Sequence, residues 1–421
     1  MLRGQNRDLS RTRQSPMTHI RVFVPFACGY FLSYLFRTVN AVIAPNLVQD
    51  MGLTAADLGL LTSAYFLAFA LCQIPLGVAL DRYGPRRVDA VLLTVAAIGA
   101  LIFASGKQTV TLLIGRALIG VGVSACLMAG FQAFSLWYDK KQLSFVNGCI
   151  MASGGLGALM ATSPVEAMLQ LTSWRYVFTA LSIAALVAGT LIYTAVPIST
   201  AGKTKQPFVE QLIEFRTVFQ SRLFWQLAPV TMMTQGALLS LQGLWVGPWL
   251  LDVAHLERFD VAFYLLLIAG AMLIGYLIMG LVGAQLQRHG IALTTLMAFS
   301  LALFLAVQLI LCLGTTSGAL YWWMIFSFTG SASILSFAVL SQVFPSQLTG
   351  RINTALNLLI FVCAFAFQYA IGAVIDLWPV NDASGYEAAS YRAAFGMLLL
   401  FESGAYLWFL ISLSRGDLST E

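Results

Sequence analysis

The feature that most constrains this chain is a succession of twelve apolar stretches, each long enough to cross a lipid bilayer. A spanning helix needs about 20 mostly apolar residues. The stretches lie at roughly 21–45, 57–80, 88–105, 109–137, 142–165, 175–196, 224–250, 259–286, 291–314, 319–344, 350–376 and 392–414. Only 10% of the 421 residues are charged and 59% are hydrophobic, which leaves too little charge to cover a soluble protein of this size. The sequence therefore predicts an all-α membrane protein with twelve transmembrane helices, and it excludes soluble enzymes, disordered chains and nucleic-acid binders.

The connections between these stretches are short except in the middle of the chain. The segment 197–223 contains Pro197, Pro207, Lys203 and Lys205, and proline with charge is typical of a linker. We therefore expect an N-terminal tail (1–20), a six-helix bundle (21–196), the linker (197–223), a second six-helix bundle (224–414) and a short tail (415–421). Apolar residues at helical spacing in the linker predict an amphipathic helix on the membrane surface. They are Phe208, Leu212, Phe215 and Phe219.

The distribution of basic residues predicts the orientation. An even number of crossings leaves both termini on one side, and that side collects seventeen of the 23 Lys and Arg residues. Cytoplasmic loops carry such an excess. We therefore expect a multi-pass protein of the cell inner membrane with both termini and the linker in the cytoplasm. The first apolar stretch is expected to be retained as a span, because it is long and no signal-peptidase site follows it.

The two halves of the chain are related by an internal repeat. Residues 77–84 read GVALDRYG after the second stretch, and residues 283–290 read GAQLQRHG after the eighth, which is an offset of 206 residues. The same offset relates Asn147 to Asn353, at the starts of the fifth and eleventh stretches. Pseudo-symmetric six-helix halves enclose a central cavity. The architecture therefore predicts a transporter and not an enzyme.

The loop after the second stretch carries a specific motif. Residues 77–88 read GVALDRYGPRRV, which resembles the G-x-x-x-D-R-x-G-R-R signature of the major facilitator superfamily in the same loop. The resemblance covers nearly the whole chain, and it implies two six-helix halves that work by alternating access. In that family the motif latches the cytoplasmic gate in the outward-open state. The residues that this resemblance assigns to gating are Gly77, Asp81, Arg82, Gly84, Arg86 and Arg87. The alternative is that the three arginines only set the topology.

Two arginines within the spans predict an anionic ligand. An arginine at the centre of a spanning helix costs about 2.5–3.5 kcal/mol on insertion scales, so it should face a wet cavity or a partner. Arg37 and Arg116 lie about seven or eight residues from the outer ends of the first and fourth stretches, hence at similar depth. Residues 115–122 also resemble the family's fourth-helix motif, R-x-x-x-G-x-G. Two cations at one depth favour an anion. The alternative for each arginine is a structural bond to backbone carbonyls or to another helix.

Further residues on polar helix faces complete the expected substrate site. Tyr30, Tyr34 and Asn40 share the face of Arg37. In the second half we expect contributions from Gln235, Gln242 and Trp245 of the seventh stretch and from Trp322, Thr329 and Ser333 of the tenth. Asn353, Asn357 and Gln368 form a weaker stripe on the eleventh. A cavity that is cationic on one half, and aromatic and neutral on the other, suits a small carboxylate with an organic body.

The sequence around Arg37 bears on coupling. Residues 34–37 read YLFR and resemble the Tyr-Leu-Asp-Arg of the organic-anion (anion:cation) symporters within the superfamily. This resemblance implies proton-coupled uptake of a small organic anion, although Phe36 replaces the acid that is implicated in coupling there. Glu402 is taken as the remaining mid-span acid, and a structural role is expected for it.

Two alternatives stay open. One is an exporter of drugs, siderophores or other amphiphilic compounds, and the other is a sensor or scaffold that does not transport. The fifth stretch contains Gly154-Gly155-Leu156-Gly157 where drug/proton antiporters usually carry Gly-Pro, which disfavours drug efflux. The six cysteines lie singly in apolar segments, so no metal site is expected, and we expect no cofactor and no catalytic residue. The expected partners are an anionic substrate, the proton and the bilayer, with the chain acting as a monomer.

Overall fold

A computed structural model of the chain describes residues 16–138, 140–197, 215–344, 348–379 and 385–415. The first half consists of α1 (Pro16–Thr38), α2 (Asn40–Met51), α3 (Ala55–Tyr83), α4 (Pro85–Ser105), α5 (Thr109–Val123), α6 (Cys126–Trp137), α7 (Lys140–Met160), α8 (Ser163–Leu171) and α9 (Trp174–Ala195). The second half consists of α10 (Arg222–Ser240), α11 (Val246–Asp252), α12 (Arg258–Arg288), α13 (Leu293–Cys312), α14 (Ala319–Gly330), α15 (Leu335–Val343), α16 (Thr349–Ile375) and α17 (Ala388–Ser414).

These helices form twelve spans, which confirms the predicted fold. Ten spans contain a helical segment that is long and apolar enough to be recognised by length and hydropathy alone, and the pair α7–α8, bent by 40°, is the eleventh. The remaining span is the seventh, in which Pro229 lies inside α10 and a π-helical turn, Leu241–Trp245, joins α10 to α11. Proline and π-helical turns both interrupt regular α-helical hydrogen bonding. The seventh span therefore crosses the membrane in short pieces.

The first, fourth and tenth spans are also built from two helices. The first breaks at Val39 between α1 and α2, the fourth breaks between α5 and α6, and the tenth passes through a 3₁₀ turn at Ser331–Ile334. Such a break changes the direction in which the following residues point. The breaks therefore affect which of the expected site residues in these spans point in the same direction.

The two halves pack against each other most extensively along α3 and α16, the second and eleventh spans. We call the side of the bundle on which both chain ends lie the terminal side, and the opposite side the far side. Near the far side, a Cβ on Gly59 would lie 2.8 Å from the carbonyl oxygen of Gln368, so the two backbones approach closely. At mid-depth the rings of Phe69 and Phe361 pack against each other at an interplanar angle of 32°, with centroids 4.3 Å apart.

Hydrogen bonds between the halves close the far side. The carboxylate of Asp376, at the end of α16, accepts from the backbone N–H groups of Ala55 and Ala56 at 2.9 Å each, and so caps α3 from the opposite half. Arg258 at the start of α12 forms an ion pair with Glu166 of α8 at 3.3 Å. Its Nη2 also donates to the side-chain oxygen of Asn46 at 2.7 Å. The far ends of the halves are therefore joined in this conformation.

The expected linker helix is described only in part. Phe208 and Leu212 lie outside the described residues, as do both chain ends beyond 16 and 415. Residues 215–220 are helical, and Phe215 and Val218 are buried against the core of the second half. This part of the linker is packed on protein.

Candidate functional site

A cavity of about 430 Å³ lies between the two halves. Its lining comes from the first, second, fourth and fifth spans of one half and from the seventh, eighth, tenth and eleventh spans of the other. These two sets correspond under the internal repeat, so the cavity lies on the pseudo-symmetry axis. The lining residues of α6, α15 and α16 come from the terminal-side parts of their spans, whereas the far side beyond the cavity is closed. The cavity therefore lies on the terminal side of the closed gate.

Arg37 lies at the far-side end of the first-span lining, as predicted for a cavity residue. Its Cζ lies 4.5 Å from the centroid of the Tyr34 ring, 5.1 Å from that of Phe361 and 5.5 Å from that of Phe69. The side chain is 8% exposed and its Nε makes no hydrogen bond. Within the described residues, no carboxylate lies within ion-pair distance of it. The structure thus places an uncompensated cation in an aromatic cage that spans both halves.

Neutral polar groups face the cavity near this cation. Gln235 Nε2 donates to the hydroxyl of Tyr276 at 3.1 Å, and Ser333 donates to the side-chain oxygen of Gln235. Tyr30 packs edge-on against Tyr34 with ring centroids 5.2 Å apart. Tyr30, Tyr34 and Gln235 line the cavity as expected, while Ser333 supports it from behind.

Arg116, predicted to contact substrate, does not line this cavity in this conformation. It is 1% exposed and its Nη1 donates to the backbone carbonyl of Phe36 at 3.1 Å. The side-chain oxygen of Asn40 accepts from its Nη2 and Nε. The rings of Tyr65 and Phe103 cover its guanidinium at 5.3 and 5.8 Å. The structural alternative holds for Arg116 and Asn40, which together tie the fourth span to the first.

Four expected residues of the second half also lie outside the cavity. Trp245 donates from its indole to the carbonyl oxygen of Gln368 at 3.1 Å, within the closed far side. Gln242 donates to Ser327 at 2.8 Å and lines only a separate void of about 30 Å³. Thr329 bonds to a carbonyl of its own helix. Trp322 lies in the first turn of α14, at the far end of the tenth span. The second half contributes Asn353 and Asn357 instead.

The motif at residues 77–88 interacts with the other half through Asp81. Asp81 accepts from Gln132 of its own half at 3.1 Å and interacts electrostatically with Arg351 at the start of α16. The arginines bond locally: Arg86 donates from Nε to the carbonyl of Tyr193 at 2.7 Å, and Arg82 lies over the ring of its neighbour. The remaining motif residues lie around the turn: Gly77 lies within α3, Gly84 adopts φ +80° between α3 and α4, and Arg87 is exposed.

The sequence analysis missed three kinds of residue near the site. Tyr276 could have been found as a hydroxyl within an otherwise apolar span, whereas the aromatic cage residues Phe69 and Phe361 carry no signal that separates them from core. Asp89 could have been found as an acid at the second position of the third stretch. Its carboxyl is fully buried beside the thiol of Cys126 and near Gly29, which precede the lining residues Leu127 and Tyr30 in sequence.

A bundle of two related six-helix halves with a cation in a central cavity defines a membrane transporter of small solutes. The sequence profile of the Major Facilitator Superfamily matches residues 26–368. The chain therefore belongs to this superfamily, whose members are transporters and not enzymes.

Solved structures and curated relatives are similar to this chain in different ways. A bacterial homologue of the human lysosomal transporter Spinster, in an inward-facing and unoccupied conformation, aligns with a TM-score of 0.75 at 16% identity, over 97% of this chain and 99% of that one. The probable sulfoacetate transporter SauU of Cupriavidus necator is 28% identical over 39% of this chain and 38% of that protein. The hexuronate transporter of Escherichia coli K12 is 26% identical over 36% of this chain and 35% of that protein. The aligned part thus spans less than two fifths of these relatives.

Proposed function

We propose that this protein takes up a small organic anion across the inner membrane, by alternating access of the central cavity to the two sides. Arg37 is the substrate-binding cation, Tyr30, Tyr34 and Gln235 are its neutral partners, and both termini lie in the cytoplasm. The single observation that carries the proposal is the buried, uncompensated Arg37 in the cavity wall, since a lone cation in a low-dielectric site is stabilised by an anionic ligand. The names of the relatives, a sulfoacetate and a hexuronate transporter, support the same class of substrate.

In this scheme the conformation described above is open to the cytoplasm. Asp376, with the Arg258–Glu166 pair, holds the far side closed, and the contact between Asp81 and Arg351 belongs to the gate on the cytoplasmic side. Uptake is driven by the proton gradient, and the protein acts as a monomer in the bilayer.

Binding to the purified protein tests the anion class. We expect a panel of organic anions to contain members that raise the unfolding temperature of the wild type, and that lose this effect in Arg37→Gln. Arg175→Gln is the matched control. Arg175 lies at the far end of the sixth span, away from the cavity, and donates to the backbone carbonyls of Ala104 and Gly106. Stabilisation by lipophilic cations alone, unchanged in Arg37→Gln, would favour the exporter instead.

A further inference from the structure

The charge balance of the cavity points to a more specific substrate class. Among the described residues that line the cavity, Arg37 is the charged side chain, and the other lining residues are aromatic, aliphatic, amide or hydroxyl in character. The electrostatic partners of Arg37 are the phenol side chains of Tyr65, Tyr34 and Tyr30. The cavity therefore offers one unit of positive charge.

The second arginine within the spans cannot add to that charge. Arg116 is held by the backbone carbonyl of Phe36 and the side-chain oxygen of Asn40, and it lies behind the first span. Reaching the cavity would break these bonds in a buried site, where unmade hydrogen bonds are costly. The two buried acids nearest in depth, Asp89 and Glu402, also lie outside the lining.

We infer that the substrate is a monovalent anion with an uncharged, hydroxyl-bearing body, and that the cavity discriminates against dianions of the same size. One carboxylate neutralises Arg37 in a site shielded from water by three aromatic rings. A second ionised group has no counter-charge there, and burying an unpaired charge is strongly unfavourable. The amides of Gln235, Asn353 and Asn357 and the hydroxyls of Tyr30 and Tyr276 suit the hydroxyl groups of the body. This inference rests on the proposed function and narrows it.

The test compares matched ligands at neutral pH on the purified, reconstituted protein. The size-matched pair is gluconate against glucarate, which keeps the six-carbon frame and replaces the terminal hydroxymethyl group by a second carboxylate. Two further pairs add one ionised group to a monoanion: benzoate against phthalate, and acetate against sulfoacetate. Glucitol serves as the neutral member of the sugar series. We expect the monoanions of at least one pair to stabilise the protein and to exchange across the membrane. The matching dianion should need at least a tenfold higher concentration, and glucitol should have no effect.

A converse variant tests the physical cause. Asn357→Lys adds a cation to the lining one helical turn from Phe361, and we expect it to lower the concentration of dianion needed by about tenfold. Asn357→Gln is the neutral control and should leave the preference unchanged. Dianions that bind the wild type as well as their monoanion partners would overturn the inference and leave anion transport standing. If no anion of either charge stabilises the wild type more than Arg37→Gln, the proposed function fails together with the inference.

Discussion

At the scale of single residues, the two arginines within the spans show what helical periodicity can and cannot predict. Their similar depth is readable from the distance to the span ends. Of the polar face predicted around Arg37, Tyr30 and Tyr34 line the cavity with it, whereas Asn40 bonds to Arg116. Helical spacing alone places Val123 and Leu127 on the face of Arg116, as if the fourth span were one helix. The structure breaks that span between α5 and α6, so Leu127 lines the cavity while Arg116 points behind the first span. A break of this kind leaves no clear mark in the sequence.

The position of Arg116 predicts a structural phenotype. In Arg116→Gln, the carbonyl of Phe36 and the amide of Asn40 lose a charged donor in a buried site, which costs about 1–3 kcal/mol. We expect a lower unfolding temperature, with a KM within about twofold of the wild-type value when uptake is normalised to folded protein. Arg37→Lys is expected to raise the KM and to leave the unfolding temperature nearly unchanged, since Lys lacks the planar guanidinium that packs against the cage rings. A raised KM in Arg116→Gln at unchanged stability would return this residue to the substrate site.

The two buried acids Asp89 and Glu402 are predicted to have different roles, Asp89 in proton coupling and Glu402 in structure. Asp89 lies directly behind the cavity wall, whereas Glu402 lies in the twelfth span, which contributes nothing to the described lining. Ionisable residues within a membrane commonly mark proton pathways. We expect Asp89→Asn to abolish accumulation driven by a pH gradient while leaving substrate exchange at equal pH intact. Glu402→Gln should leave both activities unchanged. Loss of accumulation in Glu402→Gln alone would reverse this assignment.

At the scale of helices, small residues set how closely the two halves approach. The glycines of the fifth span predict close packing, and Gly155 does lie against Leu273 of the second half, whose nearest side-chain atom is 2.6 Å from where the Cβ would be. The contact between α3 and α16 is of the same kind, but Gly59 and Gly372 carry no motif that distinguishes them. Their partner backbones come from the other half. That information is tertiary, so the single sequence could not supply it.

This contact predicts a shift in the conformational equilibrium. A Cβ on Gly372 would collide with the carbonyl oxygen of Ala55 in the far-side-closed state. We therefore expect Gly372→Ala to favour the far-side-open state. Spin labels at Gln49 and Glu257, which lie on the far side of the two halves, would report longer distances. Gly404→Ala is the control, because no atom lies within 4 Å of its Cβ position. Equal distance distributions in the two variants would show that this contact does not limit opening.

At the scale of the whole molecule, the sequence was sufficient for the twelve spans, the two related halves and the family, because hydrophobic length and a duplicated motif are local signals. It was not sufficient to predict all the residues that line the cavity. Trp245 and Trp322 were expected beside the substrate as aromatic groups near polar stripes, yet Trp245 seals the far side and Trp322 lies at the far end of its span. Which face a residue presents depends on the breaks in the seventh and tenth spans, and these are set by packing.

The predicted orientation of the molecule links the distribution of Lys and Arg residues to the side of the membrane on which the cavity opens. Asn353 lines the cavity from the terminal side, and Lys107 is exposed between the third and fourth spans on the far side. In a background without reactive native cysteines, a membrane-impermeant maleimide should label Asn353→Cys in inside-out vesicles and not in intact cells. Lys107→Cys should show the reverse pattern. Because the excess of Lys and Arg favours the cytoplasm, labelling of Asn353→Cys only in intact cells would invert the topology. A saturating monoanion should protect that cysteine from labelling, and the protection should be lost when Arg37→Gln is added. This result would show that the substrate binds in the cavity whose open side the labelling identifies.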